Sequence, residues 1–140
     1  MTENDSSSTH PPLLPTTEDD RISHLRLLRS RRVGPVTYAR LLAEHGSAAG
    51  ALDALPQIAR NAGVPDYQIC PIGVVRGELK AGRAAKARLV FKGEPDFPRA
   101  LADIDDAPVM LWMIGVASVL QRPMVALVGA RNASSLGTRM

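Results

Sequence analysis

From Asp20 to Arg31 the apolar positions Ile22, Leu25 and Leu28 recur at helical spacing, with Leu27 beside them, which predicts a helix. Acids at Glu18, Asp19 and Asp20 suit its N-terminal dipole, and Arg29, Arg31 and Arg32 suit its C-terminus. Val33-Gly34-Pro35 forms a tight connection, and Pro35 suits the first turn of a second helix running to His45. Val36, Tyr38, Ala39, Leu41 and Leu42 lie on or near the apolar face of that helix. Gly46 closes it and Ser47 can cap the next. Short helices are expected from Ala48 to Ala54 and from Pro56 to Ala62, before Pro65 interrupts. Ile72 to Arg88 reads as one more helix, weakened by Gly73, Gly77 and Gly82.

The pattern changes at Arg88. Leu89-Val90-Phe91 is a short strand, Gly93 to Pro98 turns the chain, and Pro98 to Asp103 is one or two helical turns with Leu101 inward. Val109 to Ile114 is an apolar strand, and Gly115 to Arg122 is a connection with some helical character. Val125 to Val128 is a further strand. Helical order thus precedes a boundary near Ala87, and α/β order follows it. Residues 1–19 are rich in Ser, Thr and Pro with only Leu13 and Leu14 to bury, so a disordered tail is expected there. The expected units are therefore 1–19, 20–87 and 88–140.

Charge sharpens this division. The tail holds five of the acidic residues if Asp20 is counted with it, and no Lys or Arg. The remaining 120 residues hold all 17 basic side chains and nine acidic ones, an excess of eight positive charges. Such an excess favours a polyanionic partner, nucleic acid before membrane. No run approaches the ~18 apolar residues of a bilayer span, and the N-terminus lacks a signal-peptide pattern; the expected location is cytoplasmic. Cys70 stands alone, so it reads as a small buried hydrophobe. His10, His24 and His45 show no metal-ligand spacing, and Ser134 and Ser135 have no His after His45 to act as a base. Asp103, Asp105 and Asp106 read as a solvated loop, and Met110, Trp112 and Met113 as core. Neither a cofactor nor a catalytic residue is expected.

Two segments carry candidate chemistry. Leu25 to Leu42, with its Val33-Gly34-Pro35 turn, is similar to a helix-hairpin-helix or SAM-like module, in which turn and second-helix N–H groups hold a DNA phosphate. Arg29, Arg31, Arg32 and Gly34 are its candidate DNA contacts. Two features depart from the pattern: Arg32 stands where the first hairpin glycine belongs, and Pro35 lacks an N–H. A helical packing module is the competing reading. The second segment is Val125 to Val128 followed by Gly129-Ala-Arg131-Asn-Ala-Ser134-Ser135-Leu-Gly137. It is neither a dinucleotide fingerprint nor a Walker A loop. Gly129 permits a sharp turn, Arg131 offers a planar fork for a phosphate, Ser134 or Ser135 can cap the next helix, and Gly137 permits close approach. An ordinary strand-to-helix turn with an exposed arginine is the alternative.

The upstream segment adds a resemblance. Leu89-Val90-Phe91, Phe97-Pro98, Leu101, Ala107-Pro108, Leu111, Gly115 and the Gly129-Ala-Arg131-x-x-Ser134-x-x-Gly137 loop follow one another in an order that resembles the DprA/Smf family of bacterial DNA-processing proteins. The resemblance implies a SAM-like helical module followed by an extended Rossmann-like domain. It implies a protein that binds single-stranded DNA as a homodimer, helps load RecA in natural transformation and recombination, and turns over no substrate. Gly129, Arg131, Ser134 and Gly137 match the first half of the family's phosphate loop. Phe97 replaces the usual Tyr, and Leu136 stands where an aromatic is common. The family's second glycine-rich signature does not occur, so the expectation is a truncated Rossmann-like start with impaired activity. Two other readings compete with this one. One is a lysine-decarboxylase-like nucleotide phosphoribohydrolase, which needs a downstream Pro-Gly-Gly-x-Gly-Thr segment; the other is a helical protein-protein adaptor.

Overall fold

The computed structural model describes residues 14–129. Its first helix, α1, spans Glu18–Arg29. The Thr17 hydroxyl accepts from the Asp20 N–H at 3.1 Å, and Thr16 Oγ1 donates to the Asp20 carboxylate at 2.8 Å, so a polar cap sets the start two residues before Asp20. Leu14 to Asp19, expected in the disordered tail, are instead a docked lead-in and a first turn: Pro15 is buried and Leu14 lies against Gly93. Residues 1–13 of the expected tail lie outside the described residues.

Helix α2 spans Pro35–His45, as its pattern predicts. Gly46 ends it in the left-handed region at φ 72°, its N–H donating to the Leu42 carbonyl at 2.8 Å, and the Ser47 hydroxyl accepts from Gly50 N–H at 3.0 Å to start α3. Helix α3 runs unbroken over Ala48–Asn61, which corrects the expectation of two short helices. Pro56 withholds one backbone donor, but Leu52, Leu55 and Ala59 on either side of it bury one face, and that packing outweighs the local defect.

Helix α4, Ile72–Ala84, is four residues shorter than expected. Lys86 turns left-handed at φ 57°, its N–H donating to the Arg83 carbonyl and that of Ala87 to the Gly82 carbonyl. This paired closure satisfies the last carbonyls and stops the helix with lysine where glycine is usual.

Strands β1, Arg88–Phe91, and β2, Met110–Met113, pair antiparallel, Phe91 opposite Met110. Between them lies a short helix α5, Arg99–Ala102, and after β2 a 3-10 helix, Ala117–Gln121. Side chains alternate across the strand. Leu89 and Phe91 face α1 and α4, with Leu25, Cys70, Val75 and Leu79. Val90 faces the other way, with Phe97, Met113 and Ala117, and Leu101 packs inward against them as expected. A third cluster joins Leu27 of α1 to α2 and α3 through Tyr38, Leu41, Leu42, Ala51 and Leu52. Helix α1 is therefore buried on two sides. Fold class is α/β, a helical N-terminal module leading into a small sheet.

The described strand pair is antiparallel. One sheet expectation is corrected. Val125 to Val128 forms no strand: Val125, Leu127 and Val128 are 89–96% exposed. A strand needs a neighbour to take up its N–H and C=O groups, and none of the described strands lies beside this segment.

At the junction of the three layers His24 is buried, its Nδ1 sharing a hydrogen bond with the Tyr38 hydroxyl and its ring meeting Phe91 edge-on. Burial lowers the imidazole pKa from 6.5, with Asp20 opposing. The fold thus prefers neutral His24, and the unfolded chain takes up its proton first as pH falls. The stabilisation is complete above pH 6.5 and is lost as pH falls from there towards the folded-state value. Urea titrations should show stability declining as pH falls below about 6.5, with a flatter profile in His24→Gln; an unchanged profile in that variant would assign the decline to other groups.

Candidate nucleic-acid interface

The α1–α2 connection is a tight turn, closed by Val33 N–H donating to the Ser30 carbonyl at 3.2 Å. Arg32 is left-handed at φ 64° and Arg31 is not, the signature of a type II turn, which favours glycine at this position. The residue that departs from the hairpin pattern in the sequence therefore keeps the hairpin backbone. Val33 beside it is buried in the helical core, which forces the turn into shape. Arg32→Gly should release the left-handed strain and raise stability by about 0.5–1 kcal/mol, after allowing for the glycine's greater unfolded-state freedom. A lower melting temperature in this variant would contradict that assignment.

The turn is braced from behind. Ser30, itself buried, donates its hydroxyl to the Arg26 carbonyl at 2.8 Å and accepts from Cys70 N–H at 3.0 Å. Arg26 Nε donates to the Cys70 carbonyl at 3.0 Å, and the Tyr67 hydroxyl to the Arg31 carbonyl at 2.6 Å. Cys70 is the buried small residue expected, and burial pushes its thiol pKa up. Ser30 and Tyr67 were not legible as turn supports, because their partners lie up to 40 residues away and no local spacing marks them.

The four candidate residues of this module have different fates. Arg29 is committed: its fork donates to both Glu78 carboxylate oxygens at 2.9 and 2.7 Å, holding that carboxyl below its usual range. Trp112 Nε1 donates to the same Glu78 carboxylate at 2.8 Å. Arg31 and Arg32 are exposed and make no ion pair among the described residues. Gly34 caps α2 with extended backbone and is exposed. Beyond it Pro35 has no N–H, while Val36 and Thr37 precede the first intrahelical donor, Tyr38 N–H, which bonds the Gly34 carbonyl at 2.8 Å. The hairpin thus offers two free cations and two first-turn N–H groups at one exposed corner.

The second candidate segment is described only to its beginning. Gly129 is exposed, with nothing within 4 Å of where a Cβ would stand. Arg131, Ser134, Ser135 and Gly137 lie outside the described residues. Among the described residues no three His, Cys, Asp or Glu side chains gather to hold a metal, and no helix is long and apolar enough to cross a membrane. Asp103, Asp105 and Asp106 are exposed in a turn.

Two family models match the chain. One, the DprA-like N-terminal HHH domain, covers residues 18–81; the other, DNA recombination-mediator protein A, covers residues 88–140. No curated protein matches it.

Proposed function

The chain belongs to the DprA/Smf family, with a role in DNA recombination, and from that premise we propose that it binds single-stranded DNA through phosphate contacts and catalyses no reaction. The observation that carries this reading is the second family match, which runs through the whole Gly129-x-Arg131-x-x-Ser134-Ser135-x-Gly137 loop. Arg131 supplies the charged fork, and the loop's small residues let a strand approach. Arg31 and Arg32 at the hairpin corner add secondary contacts alongside Gly34, whereas Arg29 serves the fold through Glu78. The units divide near Ala87, a reading supported by family matches that end at 81 and resume at 88. Transformation, RecA loading, homodimerisation and a cytoplasmic location belong to the same proposal.

The test is fluorescence anisotropy of labelled oligo-dT with duplex competitor, at two salt concentrations. Wild-type binding should prefer the single strand and weaken steeply with salt. Arg131→Ala should weaken it by roughly tenfold or more, the cost of one charge-assisted phosphate contact. Binding indifferent to salt and to Arg131 would remove the phosphate mechanism.

A further inference from the structure

Beyond the loop and the hairpin, the exposed face of α4 carries two cations, Arg76 and Lys80, that the fold does not use. Arg76, Lys80 and Arg83 follow one another at four- and three-residue spacing and so line one side of the helix. Arg76 and Lys80 are exposed and make no ion pair among the described residues. The helix's one acid, Glu78, is turned away towards Arg29 and Trp112. Beside the basic row sit Gly73 and Gly77, each with open space where a Cβ would be. Along Arg76 and Lys80 a phosphate chain can therefore approach the helix closely without meeting a like charge. Arg83 continues the row into an open groove of about 440 Å³ that Arg21, Arg88, Glu18, Glu94 and Trp112 also line, and each of its three arginines is paired with a carboxylate, Arg88 with Asp96. Glu18 pairs with Arg83 at 2.5 Å and Glu94 with Arg21 at 2.5 Å, which holds both guanidiniums at the groove edge.

We infer that this face of α4 is a second track for single-stranded nucleic acid, with Arg76 and Lys80 contacting successive phosphates and the strand passing the paired Arg83 at the edge of the groove that holds Trp112. This rests on the reading of the chain as a single-strand binder, but on residues separate from its loop. Backbone recognition of this kind is electrostatic and indifferent to sequence.

Trp112 is the only tryptophan in the chain, so its fluorescence reports the groove. Titrating the full chain with oligo-dT at low salt should change Trp112 emission. In anisotropy the double variant Arg76→Gln/Lys80→Gln should bind roughly tenfold more weakly, and its salt slope should be shallower by about 1.4, the loss of two single-strand phosphate contacts. Arg60→Gln on α3, an exposed cation off this face, serves as the control and should change neither. Loss of binding in Arg131→Ala with none in the double variant would overturn the α4 track and leave the loop standing. Loss in the double variant with none in Arg131→Ala would support the track and remove the loop. Equal losses in the double variant and in Arg60→Gln would overturn the track in favour of diffuse surface charge. Absence of oligo-dT binding by the wild type would overturn both, and circular dichroism verifies that each variant is folded.

Discussion

Phe91→Ala should lower the unfolding free energy by about 3–5 kcal/mol, a large share of what a small domain possesses. Phe91 is 2% exposed and lies where the sheet meets the helices. Its ring takes the edge of His24, with centroids 5.7 Å apart, and has the Arg21 guanidinium 5.4 Å above its face. It shares a cluster with Leu25 of α1 and with Val75 and Leu79 of α4. Truncation removes the transfer energy of the ring and leaves a cavity that three packed elements cannot close together. It also uncovers His24, whose neutral state depends on dry surroundings. Urea unfolding followed by Trp112 emission and by helical circular dichroism measures the loss. A cost under about 1 kcal/mol would mean that the strand is only loosely docked on the helices.

Two glycines of α4 should respond to alanine with opposite signs. At Gly82 an added Cβ would stand 2.3–2.9 Å from three Trp112 ring carbons. The ring cannot simply retreat, since its Nε1 donates to Glu78 and Glu78 in turn holds Arg29. Gly82→Ala should therefore cost about 1–3 kcal/mol through overpacking, despite alanine's better helix propensity. At Gly77 nothing lies within 4 Å, so Gly77→Ala should gain about 0.5–1 kcal/mol. Thermal melts of the pair decide the matter: shifts of the same sign would show that the Trp112 contact does not control this position.

That contrast marks what local reading reaches. Gly73, Gly77 and Gly82 looked alike in the sequence, each a weak point in a predicted helix. Only the position of Trp112, 30 residues downstream, makes Gly82 a fitted surface and leaves Gly77 a removable defect. Arg29, Arg31 and Arg32 likewise looked like one basic group at a helix end. Glu78 claims the first and leaves the other two to solvent, and Glu78 lies 49 residues from Arg29. Charge is visible in a sequence, but whether it is spent within the fold depends on partners brought close by packing.

The helical module was legible where its signals were local. Pro35, Gly46 and Ser47 marked boundaries because a ring-fixed φ, a left-handed residue and a capping hydroxyl act within one turn. Pro56 misled, because burial of Leu52, Leu55 and Ala59 overrode a local breaker. Val125 to Val128 misled in the reverse direction: a strand-like composition makes no strand without a partner to bond.

By itself the sequence determined the span of α2, the starts of α3 and α4, the change from helical to strand patterning near Arg88, the excess of positive charge and the ordered motifs of the DprA/Smf family. These rest on interactions a few residues long, or on composition. Tertiary structure decided the two-sided burial of α1, the left-handed Arg32 held over buried Val33, the His24–Tyr38–Phe91 junction and the division of arginines between fold and surface. Each depends on residues far apart in the chain meeting in a dry interior, where packing and desolvation outweigh local preference.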